Sequence, residues 1–257
     1  MLENRKRSRR AVTILALVAL AMVFGHDGSP SVGAAEPGPT PGFSNPARID
    51  HPLFPVVPGA VKVYLGREDG KKITLVETHL TETREFDWGG GSVSCRPVRT
   101  LAFVSGVLVG TKHDYFAQAD NGAVYRFGWT ESGEDSDGEE EDGDEEEPGG
   151  WVVGQRASSD PVDTVIGASP ALYLPAAPAT GDLWLRVDVP PFFVETSEVT
   201  GLRTVRALTG RYKGCLTVRS TNAADGDSET RWYAPGAGLV KAVGHRERLR
   251  LQASTIR

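Results

Sequence analysis

Apolar and polar residues alternate with a period of two along most of the chain, in runs such as SVSCRPVRTLAFV, VLVGTKHDYFAQ, DLWLRVDV, GCLTVRS and ERLRLQA. A strand sends successive side chains to opposite faces, so this pattern builds sheet and is incompatible with an amphipathic helix. The 30 glycines and 17 prolines fall between the runs, where turns are needed. About 11–13 strands follow from the spacing. The expected fold is all-β: a single curved antiparallel meander sheet, a half-barrel or open barrel, over residues 51–254. Residues 158–170 are the one stretch expected to hold a short helix.

Two stretches carry the turn chemistry most openly. In DYFAQADNGAVYRFG (114–128), Asp120-Asn121-Gly122 suits a three-residue turn that pairs Ala119 with Ala123, Ala117 with Tyr125 and Tyr115 with Phe127. That register sets Tyr115, Tyr125 and Phe127 on one face, with His113 and Trp129 by extension. RWYAPGAGLVKAVG (231–244) turns through Pro235-Gly236-Ala237-Gly238, so both stretches are expected to be hairpins.

The N-terminus has its own logic. MLENRKRSRR is basic, and the AVTILALVALAMVF that follows is uncharged and too short to cross a bilayer as a helix. A signal peptide over 1–35 is therefore expected, with export to the periplasm, the cell surface or the medium and no stable membrane span after cleavage. Residues 36–50 are rich in Pro and Gly and read as a tether. Twelve acidic residues lie between Glu131 and Glu147, so the overall charge of −6 belongs to one block and the rest of the chain is close to neutral. A block this dense repels itself and buries no apolar surface, which predicts a disordered insertion over 131–149 that attracts calcium weakly and diffusely. Basic residues elsewhere are scattered, so no nucleic-acid surface is expected. The two cysteines, Cys95 and Cys215, allow either a disulfide, favoured by export, or a pair of buried thiols. Neither has the spacing of a metal site.

For chemistry the chain offers little. His51, His79, His113 and His245 are isolated, and no nucleophile, zinc or phosphate-loop motif occurs. No cofactor or metal is expected, and a hydrolase built on carboxylates such as Asp188 and Glu195 ranks below a non-enzymatic protein. The aromatic residues Tyr115, Tyr125, Phe127, Trp129, Trp184 and Trp232 are the candidates to line a concave site for a lipid or another hydrophobic molecule. The other reading is a structural or protein-interaction module at the cell surface.

Several phrases, in order, carry a resemblance: NPARIDHPLFPVVPGAVKVYLG, VSCRPVR, DYFAQADNGAVYRFG, LYLPAAPATGDLW, GCLTVRS and RWYAPGAGLV. Together they resemble a group of exported bacterial proteins with an N-P-x-F-P-x-x-P-G opening and a YYAPGxG-type closing motif. Here Pro52, Leu53, Phe54, Pro55, Pro58 and Gly59 stand at the opening, and Trp232, Tyr233, Ala234, Pro235, Gly236 and Gly238 at the closing. The chain departs from the group at Val56, at Ala60 and by its acidic insertion. The resemblance implies no activity. The closing motif is also similar, more loosely, to one in envelope lipoprotein-carrier half-barrels, which implies an apolar concave face.

Overall fold

The computed structural model describes residues 40–133, 149–223 and 226–256, and among them every regular element is a strand. The chain opens with a hairpin of β1 (Val61–Glu68) and β2 (Lys71–His79). Next come β3 (Arg84–Trp88), β4 (Gly91–Val104), β5 (Val107–Gln118) and β6 (Val124–Gly133). Beyond the acidic block lie three short strands, β7 (Gly150–Val153), β8 (Val165–Gly167) and β9 (Ala171–Leu174). The rest is a run of hairpins: β10 (Leu183–Val189), β11 (Phe193–Ala207), β12 (Gly210–Asn222), β13 (Ser228–Ala234), β14 (Gly238–Val243) and β15 (Glu247–Ser254).

These 15 strands form one sheet in the order β10-β11-β12-β13-β14-β15-β1-β2-β4-β5-β6-β7-β8, with β3 on β4 and β9 on β6. Every pairing is antiparallel except that of β7 with β8. Because β9, bonded to β6, lies against β10 at the other end of the order, the sheet rolls into a nearly closed barrel with one seam. The expected curved antiparallel sheet is therefore present, with more strands than counted. One long strand replaces two expected ones: FFVETSEV and TVRALTG join as β11, which continues through bulges beside Gly201 and Thr204. No helix forms within 158–170. That segment makes turns in which Asp160 accepts from the Ala157 amide, and its carboxylate takes a bidentate pair from Arg84 at 2.7 and 2.6 Å. Pro97 sits inside β4 without harm, at the point where β4 changes neighbour from β3 (Arg84 opposite Cys95) to β2 (His79 opposite Val98).

Both expected hairpins form. Gly122 takes φ 90° and closes the first by donating to Ala119. In the second, Ala234 faces Gly238. The opening and closing motifs also meet: the Gly236 amide donates to the Pro52 carbonyl at 2.7 Å, and Phe54 packs edge-on against Phe116 and tilted on Tyr173. The opening motif thus plugs one end of the barrel. The fold begins before residue 51. Phe43 packs against Trp88, Tyr125 and Phe127, Ile49 is buried, and Asp120 accepts from the Ser44 amide, so the end of the expected tether is docked. The expected signal peptide lies outside the described residues, as does most of the acidic insertion; of its described flanks, 131–133 end β6 and the Glu131 amide donates to the carbonyl of Gly149, just before β7.

The expected Cys95–Cys215 disulfide is absent; both are free thiols. Cys95 packs with Phe86 and Tyr115 on one side of the molecule and Cys215 with Val205 and Leu251 on another. Each is fully buried, and burial raises both thiols above their ordinary pKa. They serve as small apolar core residues, as free cysteines commonly do.

β1 and β15 approach closely at Gly66, where an added Cβ would run into the backbone carbonyl oxygen of Arg248. That oxygen cannot rotate aside. Gly66→Ala should therefore cost about 3 kcal/mol in urea unfolding, in the range of backbone-strain substitutions, whereas Gly91→Ala, which meets nothing, should cost far less.

Candidate functional site

The structure distributes the six candidate aromatic residues among three packed clusters. Tyr115, Phe127 and Trp129 are buried in one, with half-buried Tyr125 against it. Trp184 belongs to a second, and Trp232 packs on the edge of a third. The expected register fails at one point. Ala117 does face Tyr125, but a bulge at Phe127 sets Tyr115 opposite Gly128 and Trp129 opposite Asp114. An extra residue in one strand reverses every later side chain, so Trp129 leaves the face of Tyr115 and turns toward Lys112, whose Nζ lies 4.3 Å from its ring centre.

The concave face is identified by contacts across the barrel. Tyr173 of β9 reaches Tyr233 of β13, hydroxyl to hydroxyl at 3.4 Å, and carries the Arg186 guanidinium 4.4 Å over its ring. Around this point the interior is apolar near the plug and charged further along. Arg186 donates to Glu195 at 2.9 Å and to Ser220 at 3.0 Å; Arg231 bridges Glu195 and Glu229. Burial alone would lower Arg186, but the charge of Glu195 outweighs it and holds the guanidinium above its ordinary pKa. A second buried group pairs Lys62 with Glu77 at 3.4 Å, and His79 Nε2 lies 3.0 Å from the same carboxylate. His79 Nδ1 accepts from the Val57 amide, which places the proton of the neutral ring on Nε2. These groups pair with one another, which marks them as structural, although Arg186 Nε and Arg231 Nη1 have no hydrogen-bond partner among the described residues.

Glu68 differs. It lies directly opposite Glu247 on β1 and β15, it is 3% exposed, and neither carboxyl oxygen has a partner among the described residues. Burial and the charge of Glu247 raise it to about 8, and burial, opposed by Lys112, raises Glu247 to about 7. Both carboxyls keep their protons well above the pH at which an ordinary carboxyl loses them. No group of three or more metal-ligating side chains occurs among the described residues, and the expected weak calcium binding falls on residues outside them.

The feature with recognition chemistry lies beside the β11–β12 hairpin. The β11–β12 hairpin runs past the sheet and folds across it, and the amides of Leu208 and Thr209 donate to the Leu251 carbonyl on β15. Val205 and Ala207 pin the arm by packing into the cluster of Leu249 and Leu251. Between arm and sheet is a cleft of about 530 Å³. Thr200, Arg203, Thr204 and Arg206 line the arm side. The floor is a straight row across four strands, in which Thr217 faces Trp232, Trp232 faces Lys241 and Lys241 faces Arg250. No carboxylate lines it, and among the described residues Arg203, Arg206, Lys241 and Arg250 make no ion pair. Lys241 stands 4.4 Å over the Trp232 ring. Burial lowers its pKa, and Arg250 and Arg248 push the same way. Thr217 Oγ1 is buried and has no hydrogen-bond partner among the described residues. A neighbouring cleft of about 260 Å³ offers a contrast: its Arg219 is already paired with Glu198 at 2.7 Å.

Of the six aromatic candidates, Trp232 is thus the one that lines this cleft. Its companions escaped the sequence reading because cations up to 47 residues apart in sequence meet only when β11, β14 and β15 are stacked. The alternation RERLRLQ, with Arg248 and Arg250 on one face, is the one local signal that pointed there. Comparison with protein-family models, curated proteins and solved structures gives no match.

Proposed function

We propose that the protein is an exported, non-enzymatic binding module that captures an anionic ligand in the cleft under the β11–β12 arm. The observation that carries this reading is four cations converging on one cleft with no carboxylate among its lining residues. Like charges held together raise each other's free energy, and an entering anion relieves that repulsion while forming charge-assisted hydrogen bonds. The barrel supplies a rigid floor and the arm a second wall. Absence of a nucleophile–base pair in the cleft favours binding over turnover, and the basic and apolar N-terminus supports export. The likeness to exported bacterial proteins is consistent with the same compartment. A lipid-binding role resting on the aromatic residues is less favoured, because Phe127 is buried against Phe43, Phe86 and Trp88, and Trp129 is buried against Phe193.

The test uses tripolyphosphate as a generic multivalent anion, titrated calorimetrically at low ionic strength. Binding is expected for the parent and a loss of about tenfold or more for Lys241→Glu/Arg250→Glu, since two favourable charges become repulsive. Both residues are at the surface, so the melting temperature should change little. Equal binding by parent and variant would dismiss the cleft as the site.

A further inference from the structure

Resting on the anion-binding reading of this cleft, we infer that its ligand is an acidic oligosaccharide, a chain whose successive sugars carry carboxylates, rather than a single small anion. The charges are spread along the cleft. Lys241 and Arg250 are directly opposed on β14 and β15, and opposed residues of an antiparallel pair stand about 5 Å apart at Cβ. Arg203 and Arg206 lie on the facing arm, where three residues of strand span roughly 10 Å. One phosphate or carboxylate reaches only part of this set. A linear chain bearing an anionic group on each unit engages the floor pair and the arm pair together.

The uncharged lining narrows the class further. Thr200, Thr204 and Thr217 add hydroxyls between the cations, and Thr200 Oγ1 donates to the Thr217 carbonyl at 3.4 Å. Thr217 Oγ1, in a residue 6% exposed, has no partner among the described residues. A buried hydroxyl without a partner is costly unless a ligand supplies one. Sugar hydroxyls both donate and accept, so they answer it whether it donates or accepts. Trp232 and Val205 provide an apolar wall for the C–H edges of a sugar ring. Single-stranded nucleic acid is a poorer match, because Trp232 is the one aromatic ring among the lining residues and stacking of successive bases needs several. The cleft volume of about 530 Å³ holds a drug-sized ligand, equivalent to roughly two or three sugar rings.

The experiment titrates galacturonate and its oligomers, from the dimer to the hexamer, into the full chain by calorimetry. Affinity should rise by about tenfold from the monomer to the trimer as more ion pairs form, and level off toward the hexamer, whose further units lie outside the cleft. It should fall by about tenfold or more between about 20 mM and about 500 mM NaCl. Neutral oligosaccharides of equal length should not bind. Thr217→Val should weaken the hexamer several-fold while the melting temperature stays equal to or above that of the parent, because the substitution removes an unpartnered buried hydroxyl, a combination that a purely structural threonine would not give. Inorganic phosphate or the galacturonate monomer binding as tightly as the hexamer would overturn the chain reading and leave the anion cleft intact. Tighter binding of long-chain polyphosphate or a single-stranded oligonucleotide than of the uronate hexamer would overturn the sugar assignment. No binding of any anion would remove the anion-binding reading itself, and this inference with it.

Discussion

Arg186→Ala should lower the stability of the folded chain by about 3–5 kcal/mol, the cost of removing one partner from a buried ion pair. Arg186 is 2% exposed and holds Glu195, Ser220 and the ring of Tyr173 at once. Without it, Glu195 keeps only the longer 3.7 Å approach of Arg231, and the seam loses the stack that joins β10 to β9. The loss is mainly that of a stranded charge, so Arg186→Met/Glu195→Gln should regain a substantial part of it. Urea unfolding of the two variants at fixed pH measures the difference. A double variant no more stable than Arg186→Ala would mean that the stack and the shape of the guanidinium, not the charge balance, hold the seam.

The second large effect is a dependence on pH that rises and then falls. Glu68 and Glu247 ionise at about 4.5 when unfolded and at about 8 and about 7 in the folded chain. Between those limits the folded state holds protons that the unfolded state has released, so stability falls as pH rises from about 4.5 to about 8 and levels off above. Glu77 acts in the opposite sense. Burial works to raise it, but the charge of Lys62 and the hydrogen bond from His79 prevail and hold it at about 2. Its contribution is present above pH 4.5 and is lost as pH falls toward 2. Stability should therefore peak near pH 5. Glu68→Gln keeps the neutral shape at every pH, so it should match the parent at about pH 5 and exceed it by about 3 kcal/mol at about pH 9. Denaturant midpoints at the two pH values decide this; a variant that tracks the parent at both would show that water reaches Glu68 and neutralises the effect.

Much of this fold is local. Alternation in VLVGTKHDYFAQ or ERLRLQA commits a segment to a strand because the period of two is a property of the backbone, and Asn121-Gly122 or Pro235-Gly236 commits the chain to reverse there because few other residues accept those dihedral angles. Strand class, antiparallel order and both hairpins were legible for that reason. Three things were not. The bulge at Phe127 is one extra residue that no composition announces, and it separated Trp129 from Tyr115. The continuity of β11 through Gly201 looked like a turn, because glycine serves bulges and turns alike. The two cysteines shared a compartment expectation but lie in different clusters, since only the rolling of the sheet decides which strands become neighbours.

The same division holds for function. The residue sequence by itself determined that this chain forms a sheet with alternating faces, that its negative charge is concentrated in one block and that it carries no recognisable catalytic motif. Which face became the filled interior, and that Arg203, Arg206, Lys241 and Arg250 share a cleft, only the tertiary structure decided. The physical reason is range. Side-chain period and turn preference act over a few residues, whereas a binding surface depends on how strands far apart in sequence are brought side by side, and on where a long hairpin folds back across them.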